Sequence, residues 1–204
     1  MPSVEFVVAK YTENVEWTEK IVHKVTIYNK SKVPNPKFIT LPNLGHEANT
    51  FLHHIVTNYN TLADTVIFLQ GNPFDHITID NPSIEHVIHN MNNVKCDPGT
   101  FHPAWTTMRA DNGETYVEWV ERAKKIPFPN NPLDIYFKYA YGAQYIVSKT
   151  LITLRPLKFW EKAYEMSKTS IYGDTSPDKI DPWSFELLWP LLYDSINYPI
   201  SDWP

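Results

Sequence analysis

At 204 residues the chain has room for one α/β domain with a full core, and a formal charge of -5 leaves no basic excess to grip a polyphosphate backbone, so nucleic acid is not an expected partner. Hydrophobic residues at 43% and charged ones at 20% exclude a disordered or collagen-like chain, and a single cysteine, Cys96, excludes an internal disulfide and argues against a cysteine-built zinc site. Six glycines leave no Walker loop and no G-x-G-x-x-G fingerprint, so any phosphate must be held in another way.

Taken in chain order, Val4 to Ala9 reads as a buried strand and Lys24 to Tyr28 as a second, with Tyr11 to Lys20 as a short helical crossover. Strand, crossover, strand opens a parallel sheet. The opening residues, MPSVEFVVAKYTE, thus enter a strand without a signal-peptide layout, and no apolar run approaches the roughly 18 residues of a membrane span, so a cytoplasmic location is expected. Leu41 to Gly45 leads into a helix from His46 to about Tyr59, with Leu52, Ile55, Val56 and Tyr59 on one face. Thr65 to Leu69 is a continuous β-branched and aromatic run, the pattern of a strand buried on both faces, and Gly71 with Pro73 then breaks the backbone.

Asn81-Pro82 fits the cap and first turn of a helix carrying Ile84, Val87, Ile88 and Met91. Asp111 to Lys125 has amphipathic spacing, Ile135 to Tyr139 and Tyr145 to Val147 read as strands around Gly142, and Thr150 to Met166 is helical with a break at Pro156. Asp181-Pro182 starts a last helix with Phe185, Leu188, Trp189 and Leu192 inward, kinked where Pro190 withholds a donor from the carbonyl of Glu186. The final YPISDWP carries no closing signal, as in a domain cut from a longer protein.

Chemistry concentrates after the Thr65 strand. In an open α/β sheet ligands bind beyond the carboxyl ends of the strands, and Asp75 with His76 follows such an end. The oxygen of Asp75 suits Mg²⁺ or Mn²⁺, hard cations held by one or two carboxylates plus substrate phosphates. Asp80 is a second carboxylate nearby, although its place before Asn81-Pro82 favours a helix cap. The same residues also satisfy a plain strand and an Asn-Pro turn. His86 and His89, three apart, share a helix face without an obvious third ligand, and the adjacent His53 and His54 point about 100° apart on theirs.

The runs VVAKYTENVEW, LPNLGHEANTFLHHIVTNY, FLQGNPFDH and YGAQYIVSK, spread over nearly the whole chain, resemble a viral and fungal family assigned to the nucleotide-sugar glycosyltransferases of the GT-A fold. The resemblance implies a Rossmann-like, mixed, mostly parallel central sheet flanked by helices in a single domain. It implies a UDP-sugar donor, a glycan hydroxyl as acceptor, and Mn²⁺ or Mg²⁺ as cofactor; for a viral member the host cytoplasm is the place of action. Strand ends carry the donor in that group: Ala9-Lys10-Tyr11, continuing through Thr12-Glu13, corresponds to the segment at the uridine, and Asn29 to the base-contacting end of the second strand. Gln70-Gly71-Asn72 stands where the group carries Asp-x-Asp, a departure that leaves either Asp75, with His76, to supply the metal ligands or the metal weakly held. Gly142-Ala143-Gln144 corresponds to the small-residue stretch beside donor sugar and acceptor, although a tight lead into a strand also asks for glycine. Glu186 corresponds to the acid that serves as general base; an acid in a first helical turn also favours the helix dipole. A glycan-binding module that has lost catalysis is the alternative, since Gln70 and Asn72 are neutral.

Overall fold

The computed structural model describes residues 2–77, 83–106, 108–110, 138–168 and 182–194. The expected helix at 111–125, Asp80 and the Asn81-Pro82 pair lie outside the described residues.

The architecture is mixed α/β, with a six-stranded, mostly parallel sheet in the order β3-β2-β1-β4-β8-β5. Strands β1 (Val4–Lys10), β2 (Lys24–Asn29), β3 (Ile39–Thr40) and β4 (Thr65–Gln70) run parallel, while β8 (Tyr145–Ser148) pairs antiparallel with both β4 and β5 (Phe101–Pro103). A two-stranded ribbon, β6 (Met108–Ala110) with β7 (Lys138–Ala140), stands apart from it. Alternation sorts the side chains: Phe6, Val8, Ile67, Leu69 and Ile146 point to one layer and Val7, Val66, Phe68, Tyr145 and Val147 to the other.

The first layer is closed by α2 (Ile84–Asn92), through Val87, Ile88 and Met91, and by the turn that carries Trp17. The second is closed by α1 (His46–Asn58), α4 (Leu157–Met166) and α5 (Pro182–Tyr193), with Phe51, Trp160, Phe185 and Trp189 among the fully buried rings. The short α3 (Lys149–Leu154) precedes α4, separated from it by Pro156 as expected. Among the described residues no helix is long and apolar enough to cross a membrane.

Several local expectations are corrected. The crossover after β1 holds only one 3₁₀ turn, Glu16–Lys20, because the Glu13 carboxylate takes the N–H of Tyr11 (2.6 Å) and Asn14 Oδ1 takes that of Glu16 (2.7 Å), drawing the backbone out of helix. Helix α2 is capped by Ser83, whose hydroxyl accepts from the N–H of His86 (3.2 Å). Glu186 is the fifth residue of α5, beyond its first turn, and the helix runs on through Pro190. His86 and His89 are both exposed.

Under α1 lies a buried polar cluster. Glu5 takes the hydroxyl of Thr26 (2.6 Å) and the ammonium of Lys24 (3.0 Å), while Tyr28 Oη meets His54 Nδ1 at 3.1 Å. Burial pushes His54 down to about 4, with Glu5 partly opposing. A depressed imidazole stabilises the fold above its unfolded value near 6.5, and that stability is lost as pH falls towards 4. Urea unfolding at pH 7 and pH 4.5 is therefore expected to show an acid loss that His54→Gln reduces.

Candidate functional site

The carboxyl ends of β1 and β4 meet in register at Ala9 and Gln70, where chain direction across the sheet reverses: β2 and β3 lie on one side of β1, and β4 on the other. Such a switch point leaves a crevice between diverging loops. A cleft of about 380 Å³ opens there, lined by Ala9, Lys10, Tyr11, Glu13, Lys30, Asn43, His46, Glu47, Gln70, Asn72 and Asp75. Six of the sequence-predicted site residues thus converge from two separate stretches: Ala9, Lys10, Tyr11, Gln70, Asn72 and Asp75. Tyr11 is 44% exposed, leaving its ring available to a ligand. Asp75 also borders a second groove with Trp17, Phe74, Ile84 and Ile88.

Gly71 forms part of the wall structure without lining the cleft. Its carbonyl accepts from the indole of Trp17 (2.9 Å), and an added Cβ would stand 2.7 Å from a carboxylate oxygen of Glu13. Asn29 is placed differently from expectation. Buried at the end of β2, its amide donates to Val33 O (2.8 Å) and its oxygen accepts from the N–H and hydroxyl of Ser31, so the side chain folds the loop after β2. Its neighbour Lys30 reaches the cleft instead.

Lys30 is 5% exposed, and its ammonium donates to the carbonyls of Leu44 and His46. Those carbonyls bracket two consecutive left-handed residues, Gly45 (φ 56°) and His46 (φ 49°), so the amine fixes the bend that brings the start of α1 to the cleft. Burial pushes Lys30 down to about 8, opposed by Glu47. Glu47, half-buried in the first turn of α1, is pushed up to about 7, first by desolvation and further by the carboxylates of Glu186 and Glu13, against its own backbone N–H and Lys30.

The remaining predicted residues form a second group around the turn at 141–143, where Gly142 (φ 70°) and Ala143 (φ 55°) are both left-handed. Gly142 donates its N–H to Glu186 Oε1 (2.7 Å), and an added Cβ would lie 2.6 Å from the ring of His76. Gln144 is fully buried and donates to Pro73 O (3.2 Å), tying this turn to the one that carries Asp75 and His76. Burial lowers His76, with Asp75 opposing, which favours a neutral imidazole. Neither His76 nor Glu186 is among the residues lining the cleft. The charge of Glu186 nevertheless reaches Glu47, which links the two groups.

Among the described residues no group of three or more His, Cys, Asp or Glu side chains is arranged to hold a metal. Asp75 offers one carboxylate between the neutral side chains of Gln70 and Asn72. That set fits a hard cation completed by ligand phosphates, and does not fit a resident metal held by protein alone. Lys30, Asn43, His46 and Glu47 are cleft residues that sequence reasoning missed; the signal for Lys30 was its place just past a strand end, and for the others the left-handed Gly45 ahead of a helix start.

The chain belongs to the family described as Protein of unknown function (DUF3431), whose model matches residues 6–200. No curated protein and no solved structure matches it.

Proposed function

We propose that the protein is a glycosyltransferase that moves a sugar from a uridine diphosphate donor to a glycan hydroxyl. The observation that carries the reading is the switch-point cleft, which gathers Ala9, Lys10 and Tyr11 with Gln70, Asn72 and Asp75 as the resemblance implies for a nucleotide-sugar site. Tyr11 offers a flat face to the uracil or ribose, and Lys10 a positive charge towards the diphosphate. A divalent cation shared between Asp75 and the phosphates would neutralise the departing diphosphate. A carboxylate of the site accepts the acceptor's proton. Two carboxylates interact there: Glu186, to which the resemblance points, and Glu47.

Calorimetric titration with UDP, with and without Mn²⁺, tests the reading. UDP binding strengthened by Mn²⁺, and weaker binding of ADP, are the expected results; Asp75→Ala is expected to abolish the metal enhancement. A second reading, a glycan-binding module without catalysis, draws on the neutral Gln70 and Asn72 and the missing multi-ligand metal group among the described residues. Indifference to UDP in either condition would favour that module.

A further inference from the structure

We infer that Glu47, at the start of α1 in the cleft wall, is the residue that takes the acceptor's proton, and that Glu186, held by Gly142 outside that wall, is a positioning residue that acts through it. The inference rests on the glycosyltransferase reading. The two carboxylates occupy unlike settings. Glu186 has Oε1 engaged by the N–H of Gly142 at 2.7 Å and stands outside the cleft wall, so its charge is anchored beside the turn at 141–143. Glu47 lines the cleft itself, where an incoming hydroxyl can reach it.

Three charged neighbours bear on its proton. Glu186 from α5 and Glu13 from the loop after β1 raise its proton affinity, and Lys30 from the end of β2 lowers it. Lys10, His46 and Asp75 complete the charged or titratable rim of the cleft. Lys30 opposes Glu186 and Glu13 only in part, its ammonium being committed to the carbonyls of Leu44 and His46. Desolvation and the two carboxylates therefore prevail, leaving Glu47 near neutrality, where a general base combines an open lone pair with useful basicity.

In the displacement, the acceptor oxygen forms its bond to the anomeric carbon as the bond from that carbon to the diphosphate oxygen breaks. The bonding pair leaves on the diphosphate. The hydroxyl proton passes to the Glu47 carboxylate, which must be ionised beforehand. Transfer should therefore rise with pH through the Glu47 titration and level off above it.

The test compares wild type, Glu47→Gln and Glu186→Gln in transfer or slow donor hydrolysis from pH 5.5 to 9, with UDP affinity measured in parallel. Glu47→Gln is expected to lose roughly 10²-fold or more in kcat and to lose the acid limb, with UDP affinity within about twofold of wild type. Glu186→Gln is expected to keep the limb but move it to lower pH, by about one unit, because a neighbouring negative charge has gone. Carbon-13 titration of the Glu47 carboxyl should show the same displacement without any turnover. An unchanged rate and limb in Glu47→Gln, a limb removed by Glu186→Gln, or a Glu47 carboxyl that titrates as an ordinary exposed glutamate would overturn the inference while UDP binding stands. Absence of UDP binding in wild type would overturn the glycosyltransferase reading and the inference with it.

Discussion

Gly45→Ala is expected to cost the fold about 3–5 kcal/mol, the sum of left-handed backbone strain and an overpacked contact. Gly45 adopts φ 56°, and a Cβ built there would stand 1.8 Å from the backbone oxygen of Ser167 and 2.8 Å from the Cβ of Asn49. A backbone oxygen at the end of a helix cannot rotate away as a flexible side chain can. Ser167 is held by the carbonyls of Ala163 and Tyr164, and its hydroxyl receives the amide of Asn49 at 2.9 Å, so α1 and α4 would have to part together. For a chain of this size the loss corresponds to a melting point lower by roughly 10 °C or more. Gly99→Ala is the control: φ is 77° but nothing lies within 4 Å, so only the backbone term of about 1–2 kcal/mol should appear. Equal melting points for the two variants would show that the α1–α4 contact yields. Because Asn43, His46 and Glu47 flank the same bend, UDP affinity should fall in Gly45→Ala and stay near wild type in Gly99→Ala.

The parts of the fold legible in the sequence are those whose side-chain periodicity is long enough to carry a signal. Thr65 to Leu69 is buried throughout, as its unbroken apolar run implies, and the apolar faces of α1, α2 and α5 follow from three- and four-residue spacings. Strands β3 and β5, two and three residues long, have no such period. They exist because neighbours offer them a ladder: Tyr28 and Asn29 align with Ile39 and Thr40, and Tyr145 to Val147 with Phe101 to Pro103. The site was legible to the same degree. Residues directly past strand ends, such as Lys10 and Asp75, can be placed by the sheet rule alone. Lys30 and Glu47 cannot, because their positions depend on a long-range contact, the Lys30 ammonium gripping the bend before α1. Asn29 shows the converse: a polar residue at the right strand end directs its hydrogen bonds into its own loop, a local preference that the strand-end rule does not see.

Arg155→Met is expected to destabilise the protein by about 3 kcal/mol, from buried carbonyls left unpaired and a lost cation at a helix end. The last carbonyls of any helix lack partners within it. In α5 the carbonyl of Pro190 receives the N–H of Asp194 (2.9 Å), while those of Leu191 and Leu192 receive Arg155 Nη2 (2.8 Å) and Nε (2.6 Å). Arg155 is 3% exposed and its guanidinium lies 4.5 Å over the ring of Phe159, so water cannot take its place without opening the core. Burial lowers Arg155 to about 10, which leaves it charged at neutral pH and keeps the cap intact there. Arg155→Lys should recover part of the loss, since an ammonium keeps the charge but lacks the planar fork that serves two carbonyls. Urea unfolding orders the three proteins; a lysine variant as stable as wild type would show that charge alone holds the helix. The substitution also separates the two halves of the site. The nucleotide cleft is built from β1, β2, β4 and α1, whereas Glu186 rides on α5 beside Phe185 and Trp189, so Arg155→Met should disturb the proton-accepting step through Glu47 more than it disturbs UDP binding.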